Sequence, residues 1–291
     1  MDGFEITPVN GLRSPIVVMA FTGWSDTGTV TTDTVQRLAD AYSARPFLTV
    51  DPENYYVFTD TRPNVRIDNS GMREIEWPRN EAFAANLSGA EHDLILLKGV
   101  EPNLRWQTFA ARFADAVWAL SPSLICTLVA RPAATPHTRP VPVTGSAADA
   151  ALAEKFGLGR SMYQGPTGII GVLHDELRRR GASLISLAAG VPHYLNVDEN
   201  PMATMALLRA LEPVLGIAPP LGDLVDEGER FVRRVEEASR GDDQIRAYVR
   251  TLEEHYGEAS SDDFSPEAGE LPSADDILRD VEDLLRGNSD S

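Results

Sequence analysis

Residues 163–200, YQGPTGIIGVLHDELRRRGASLISLAAGVPHYLNVDEN, decide the fold. Pro166 suits a first helical turn, where a missing N–H costs nothing. Ile169, Ile170, Leu173 and Leu177 then recur at helical spacing, while Asp175, Glu176 and Arg178 to Arg180 take the opposite side. The three arginines suit the negative end of a helix dipole, and Gly181 suits a left-handed cap. Ala182 to Ala189 is a short apolar run, as a strand covered on both faces requires. The stretch reads as helix, stop and buried strand, with Gly190 to Asn200 as the loop that opens into another helix. Within that loop Val191 to Tyr194 either lines a pocket or meets a neighbouring subunit, and subunit contact is the preferred reading.

Outward from this unit the same alternation repeats. Ile16 to Phe21 reads as a buried strand, followed by a helix to about Tyr42 with Val30, Val35, Leu38 and Ala39 inward. Phe47 to Val50 reads as a second strand, parallel to the first. Tyr55 to Phe58, Asn64 to Asp68 and Met72 to Trp77 read as shorter polar strands, with a turn at Asn69-Ser70-Gly71 between the last two. They form an excursion from the main sheet. Asp93 to Gly99 and Ser123 to Ala130 are further buried strands, each side of a helix from Trp106 to Leu120; Asp149 to Phe156 and Asn200 to Leu215 are helices.

The fold class this predicts is α/β: a three-layer α/β/α domain with a mostly parallel sheet over residues 1–217, plus a C-terminal helical appendage. Pro219-Pro220 marks the boundary. Residues 218–256 read as a helical hairpin broken at Gly241, with Leu224, Val225, Val232 and Val235 as one stripe and Ile245, Tyr248, Val249, Leu252 and Tyr256 as the other. Residues 257–272 read as an acidic flexible linker. Residues 273–287 read as an amphipathic helix capped by Ser273, with Ile277, Val281, Leu284 and Leu285 along one edge.

The 291 residues are 43% hydrophobic, so a core is affordable, and the net charge is −18. About 13 of those net negative charges lie after Leu221. Such a balance speaks against nucleic acid or anionic membrane as the partner. No apolar run reaches membrane-spanning length, and the N-terminal residues lack a signal-peptide pattern. The single cysteine, Cys126, lies in an apolar run, so the expected home is cytoplasmic.

No phosphate-cradling or dinucleotide motif is present. Gly165, Gly168 and Gly171 read as close helix–sheet packing. The five histidines make no zinc pattern, so neither a metal nor a cofactor is expected. Ser25 in Gly23-Trp24-Ser25-Asp26-Thr27-Gly28 sits where a nucleophile elbow would, but Thr27 occupies the position that needs Gly. Asp26 reads instead as a helix cap. His193 lies beyond a buried strand, where α/β sheets place ligands. Glu101 and Arg105 share that address, and a buried Glu–Arg pair holding the loop is the plain reading. Together Gly23, Trp24, Ser25, Asp26, Glu101, Arg105, Gly145, Ser146, Pro192, His193 and Tyr194 form a candidate rim, for binding or for an interface. They contain no nucleophile–base pair.

The stretches AFTGWSDTG (20–28), LLKGVEPNLRW (96–106), PTGIIGVLHDELRRRG (166–181), SLAAGVPHYL (186–195) and NPMATMALLRALE (200–212) resemble the proteasome assembly chaperone 2 family, in its bacterial, actinobacterial-type form. The resemblance implies a fold like that of nucleoside phosphorylases and hydrolases, self-association with a trimer as the first guess, and proteasome subunits as partners. It carries no catalytic residues. The expected function is therefore a non-enzymatic assembly chaperone or scaffold acting as a homo-oligomer. The alternative is a small-molecule-binding protein or enzyme on the phosphorylase-like scaffold, with its site at the C-terminal ends of the strands.

Overall fold

Runs of aliphatic and β-branched residues become the middle of a sheet, because only there are both faces of a strand covered. The computed structural model describes residues 3–68 and 70–256. Its strands are β1 (Phe4–Ile6), β2 (Ile16–Thr22), β3 (Arg45–Val50), β4 (Asn64–Ile67), β5 (Arg73–Glu76), β6 (Asn80–Ala85), β7 (Leu94–Val100), β8 (Leu124–Ala133), β9 (Val143–Ala147) and β10 (Leu184–Pro192). Its helices are α1 (Val30–Ala41), α2 (Trp106–Trp118), α3 (Ala150–Phe156), α4 (Ile169–Arg179), α5 (Pro201–Ala210), α6 (Glu212–Leu215), α7 (Leu224–Ser239) and α8 (Asp243–Glu254).

Eight strands form one sheet in the order β1-β3-β6-β7-β2-β8-β10-β9. The four central strands, β7, β2, β8 and β10, are parallel, and the flanking strands pair antiparallel. Alternation along β2 divides the core. Val17, Met19 and Phe21 face the layer that holds α2 and α4, while Val18 and Ala20 face the layer that holds α1 and α5. The three-layer α/β/α arrangement follows, with α7 and α8 added beyond α6. At the amino edge Asp93, fully buried, accepts from the Arg13 amide and guanidinium and from the amides of Asn86 and Leu87. The Arg13 guanidinium holds that carboxyl well below the usual carboxylate range.

Several expectations need correction. Helix α4 starts at Ile169, so Pro166 precedes it; Gly168 is extended at the N-cap. β3 runs in the same sense as β2, but β6 and β7 stand between them, and both neighbours of β3 are antiparallel. Tyr55 to Phe58 is not a strand; it follows a 3-10 turn at Pro52–Asn54, and the carbonyl of Tyr55 accepts from the amides of Asn103 and Leu104. β10 continues to Pro192 because it pairs with β8 along its whole length. On α7 the buried positions are Leu224, Gly228 and Phe231, and Val225 is exposed. The strands β1, β6 and β9 have no counterpart in the sequence reading.

The pair β4 and β5 forms a separate two-stranded sheet. Its turn is held by the Asp68 carboxylate, which accepts from Ser70 N, Ser70 Oγ and Met72 N, with Gly71 at φ +82°. Asn69, the linker 257–272 and the terminal helix 273–287 lie outside the described residues.

Candidate functional site

Strand β2 ends at Thr22, and the chain turns at Gly23 with φ +114°. A Cβ there would lie 2.9 Å from Glu101 Oε2, so glycine serves both the turn and the close approach. Glu101 follows β7, and its amide donates to Thr22 O at 3.0 Å. Its carboxylate then joins three segments. Oε2 accepts from Trp24 N at 3.2 Å, and Oε1 accepts from Ile169 N at 2.5 Å. Ile169 opens α4, whose N-cap Gly168 has no side chain to offer. Glu101 therefore caps α4 from another loop, placing negative charge at the positive end of the helix dipole. A Cβ on Gly168 would lie 2.7 Å from Glu101 Oε1, which gives this glycine its purpose. Where the sequence suggested a Glu101–Arg105 pair, Glu101 is held on two amides and Arg105 donates to Asn54 Oδ1 at 3.3 Å.

Asp26 acts as the expected cap, at one remove. Its carboxylate accepts from Thr31 N at 2.6 Å, Thr32 N at 3.4 Å and Thr32 Oγ1 at 2.5 Å, in the first turn of α1. Burial pushes its pKa above the ordinary aspartate value, and these hydrogen bonds offset only part of that. Ser25 is fastened by its backbone, its carbonyl accepting from Ala130 N at 2.8 Å. Trp24, between them, is 69% exposed. Leu104, Met162 (72%) and Tyr163 (64%) are further exposed apolar side chains.

The other half of the rim is built differently. Pro192 ends β10, and His193 binds Ala133 O through both its amide (3.1 Å) and Nδ1 (3.0 Å). A carbonyl only accepts, so Nδ1 carries the proton and Nε2 accepts from Tyr248 Oη at 2.9 Å. Tyr194 is 2% exposed. Its hydroxyl accepts from His137 N at 2.7 Å and meets His137 Nδ1 at 2.7 Å. Burial pushes its phenol pKa up. The rings of His137, His193, Tyr194 and Tyr248 meet edge to face. Helix α8 lays Ile245, Val249 and Leu252 over Tyr194, Thr138 binds Glu253, and Tyr256 Oη donates to Pro140 O at 2.7 Å. Tyr194 is thus covered by the chain's own helix, and His193 beside it is tied to that helix through Tyr248.

The structure brings Gly23, Trp24, Ser25 and Glu101 together, with Arg105 on the following turn. Pro192, His193 and Tyr194 form the second cluster, linked to the first where Thr29 Oγ1 donates to Asp198 O at 2.9 Å. Gly145 and Ser146 join neither: in β9 they pair with Leu187 and Ser186, near the start of β10 and away from Pro192. Sequence reasoning missed Gly168, Ile169, His137 and Tyr248. His137 and Tyr248 lie 57 and 54 residues from Tyr194, so no local pattern could flag them. Among the described residues no group of three or more His, Cys, Asp or Glu could hold a metal ion, and no helix is long and apolar enough to cross a membrane.

Residues 20–239 match the sequence profile of the PAC2 family. A PAC2 family protein from Streptomyces avermitilis is 37% identical with a TM-score of 0.74, over 81% of this chain and 99% of that one. A proteasome-assembly chaperone homologue from Mycobacterium tuberculosis is 40% identical with a TM-score of 0.72, over 80% and 99%. An archaeal proteasome activator from Pyrococcus furiosus, 18% identical with a TM-score of 0.62 over 81% and 100%, shares the fold. No curated protein matches the chain significantly.

Proposed function

The chain belongs to the PAC2 family, and from that premise we propose that it is a non-enzymatic assembly chaperone or scaffold, working in the cytoplasm as a homo-oligomer with a trimer as the first arrangement to test. Residues 1–217 would be its body, and residues 218–256 the helical hairpin that closes one half of the rim. Its clients would be proteasome subunits, as the name of the Mycobacterium tuberculosis relative suggests.

The observation that carries this reading is the apolar surface left at the carboxyl edge of the sheet. Residues opposite each other in a hairpin share a face. Val65 lies opposite Ile75 and Ile67 opposite Arg73, so three exposed aliphatic side chains gather on one side of β4 and β5. The other side carries Arg66, Glu74 and Glu76, with Arg66 and Glu76 paired at 3.1 Å. An isolated two-stranded hairpin is marginal in water, and such an apolar face calls for cover. The hairpin is rooted by Trp77 against Phe58, ring centroids 4.8 Å apart. Asn80 follows it and accepts from Val100 N at 3.0 Å, at the end of β7. Hairpin and rim aromatics therefore rise from the same edge.

Native mass spectrometry of the full chain, alone and with proteasome α and β subunits, tests the proposal. A defined homo-oligomer and an assembly intermediate with the subunits are the expected species. A monomer at all concentrations, no complex, and unchanged proteasome maturation in a deletion strain would together sink it.

A further inference from the structure

Helices α7 and α8 leave a gap between themselves and the body. α7 packs on α5 through Gly228, where a Cβ would lie 2.8 Å from Met202 Sδ. α8 packs on Tyr194. Between these contacts lies a cleft of about 450 Å³, with Leu195, Val197, Phe231, Val235, Ala238 and Ile245 as its apolar walls. Arg234 lines both this cleft and the adjoining groove, which Arg230 and Arg233 line as well. Two acids of that groove, Asp33 and Glu227, are held by Arg37 at 2.9 and 2.6 Å. That leaves Glu199 and Glu237 against three exposed arginines. Arg233 is held loosely, 3.7 Å from Glu229, and Arg230 and Arg234 make no ion pair among the described residues.

The same chain carries a segment of matching chemistry. Residues 273–287, SADDILRDVEDLLRG, place Ile277, Val281, Leu284 and Leu285 at helical spacing, with Asp276, Asp280 and Asp283 recurring on one flank. Its acids outnumber its arginines, Arg279 and Arg286, so it is net negative. An isolated helix of this length is marginal in water and depends on packing its apolar face. The tether also fits. The last described residue is Tyr256, just past α8, and from Glu254 back to Ile245 on the cleft wall is about 14 Å along the helix. Residues 257–272 reach about 50 Å when extended, several times that distance. A tether that spans the gap makes docking an intramolecular step at high effective concentration. Asp198 and Glu199, also on the cleft lining, repel an acidic flank, so that flank must lie towards the arginines.

We propose that residues 273–287 of the same chain dock as a helix in this cleft, with Ile277, Val281 and Leu284 against Val235 and Ala238, and with Asp276, Asp280 and Asp283 towards Arg230, Arg233 and Arg234. The chain thus closes its own cleft. The site is separate from the exposed apolar surface assigned to protein contacts, so either assignment can fail without the other.

The test is NMR of the full chain carrying a nitroxide at Ser289→Cys, the fully buried Cys126 being shielded from the label. The amide signals of Val235 and Ala238 are lost and return when the nitroxide is reduced, while those of Val65 and Ile75 on the hairpin persist. Val281→Asp with Leu284→Asp abolishes that loss. Arg230→Glu with Arg234→Glu weakens it, and adding Asp280→Arg with Asp283→Arg restores it. No loss in the spin-labelled chain, an equal loss in the Val281→Asp, Leu284→Asp variant, or a charge swap that restores nothing each overturns the proposal. Loss on nitroxide-free, isotope-labelled chains mixed with spin-labelled ones would assign the segment to a second copy, and would overturn it as well.

Discussion

Around β2 and β7 the carboxyl edge of the sheet is open; around β8 and β10 it is roofed. Both halves rely on one device, a polar side chain that satisfies backbone amides of a distant loop. Glu101 does so for Trp24 and Ile169, and the Tyr194 hydroxyl does so for His137. The outcomes are opposite. Trp24 is 69% exposed and Tyr194 is 2% exposed, although each sits just past the end of a central parallel strand. What separates them is α8, which supplies Ile245, Val249 and Leu252 to one side only. A loop at the end of a strand therefore stays exposed only where nothing in the same chain covers it. Here the helical appendage covers Tyr194 and leaves the other half of the rim, with the hairpin beside it, exposed.

Four measurements test that contrast. The largest effect belongs to the roofed half. Tyr194→Ala removes a buried aromatic beneath α8 and should cost about 3–5 kcal/mol in urea unfolding, as other buried aromatic truncations do. A cost under about 1 kcal/mol would mean that α8 is not seated there. Next, Glu101→Ala leaves the amides of Trp24 and Ile169 without their acceptor, and should cost about 1–3 kcal/mol. Hydrogen exchange at those two amides should accelerate, and unchanged protection would disprove the capping role.

The third effect is a pH dependence at Asp26, which stands where the halves meet. Its native pKa is raised above the ordinary value of 3.8, so the acid is bound more tightly in the folded state. The stability this contributes is fully present below 3.8 and is lost as pH rises through the raised native value. Relative to wild type, Asp26→Asn should gain melting temperature across that window and stay level on either side. A gain as pH falls instead would reverse the assignment. Smallest of all, Trp24→Ala should change stability by no more than about 0.5 kcal/mol, since the side chain is exposed. Its effect belongs to association: light scattering should show a smaller mass or a weaker oligomer, and an unchanged oligomer would remove Trp24 from the interface.

Much of the scaffold was legible because its signals are local. Val17 to Phe21, Leu94 to Leu97 and Leu184 to Leu187 are apolar enough to announce central strands, and Ile169, Ile170, Leu173 and Leu177 announce a helix face. β6 was not legible. Asn80-Glu81-Ala82-Phe83-Ala84-Ala85 has little β-branched content, and becomes a strand because β3 and β7 offer ladders on both sides. β9 holds Gly145 and Ser146 in the ladder of β10 for the same reason, which is why a reading as rim loop failed. Of the rim, Asp26 was legible as a cap, since its partners lie within six residues. Glu101 was visible as a candidate, but its partners lie 68 and 77 residues away, and the choice between Arg105 and two amides needed the fold.

The α/β alternation, the order of the central elements, the acidic excess after Leu221 and the family resemblance can all be read from the order of residues alone. Periodicity and composition act over a few residues at a time, and so does motif matching. Only the tertiary structure decided which strands are neighbours, that Gly168 makes room for Glu101, and that Tyr194 lies under α8 while Trp24 lies in the open. Those outcomes depend on burial and on hydrogen bonds between segments far apart in the chain, where each group finds a partner only after the layers have packed.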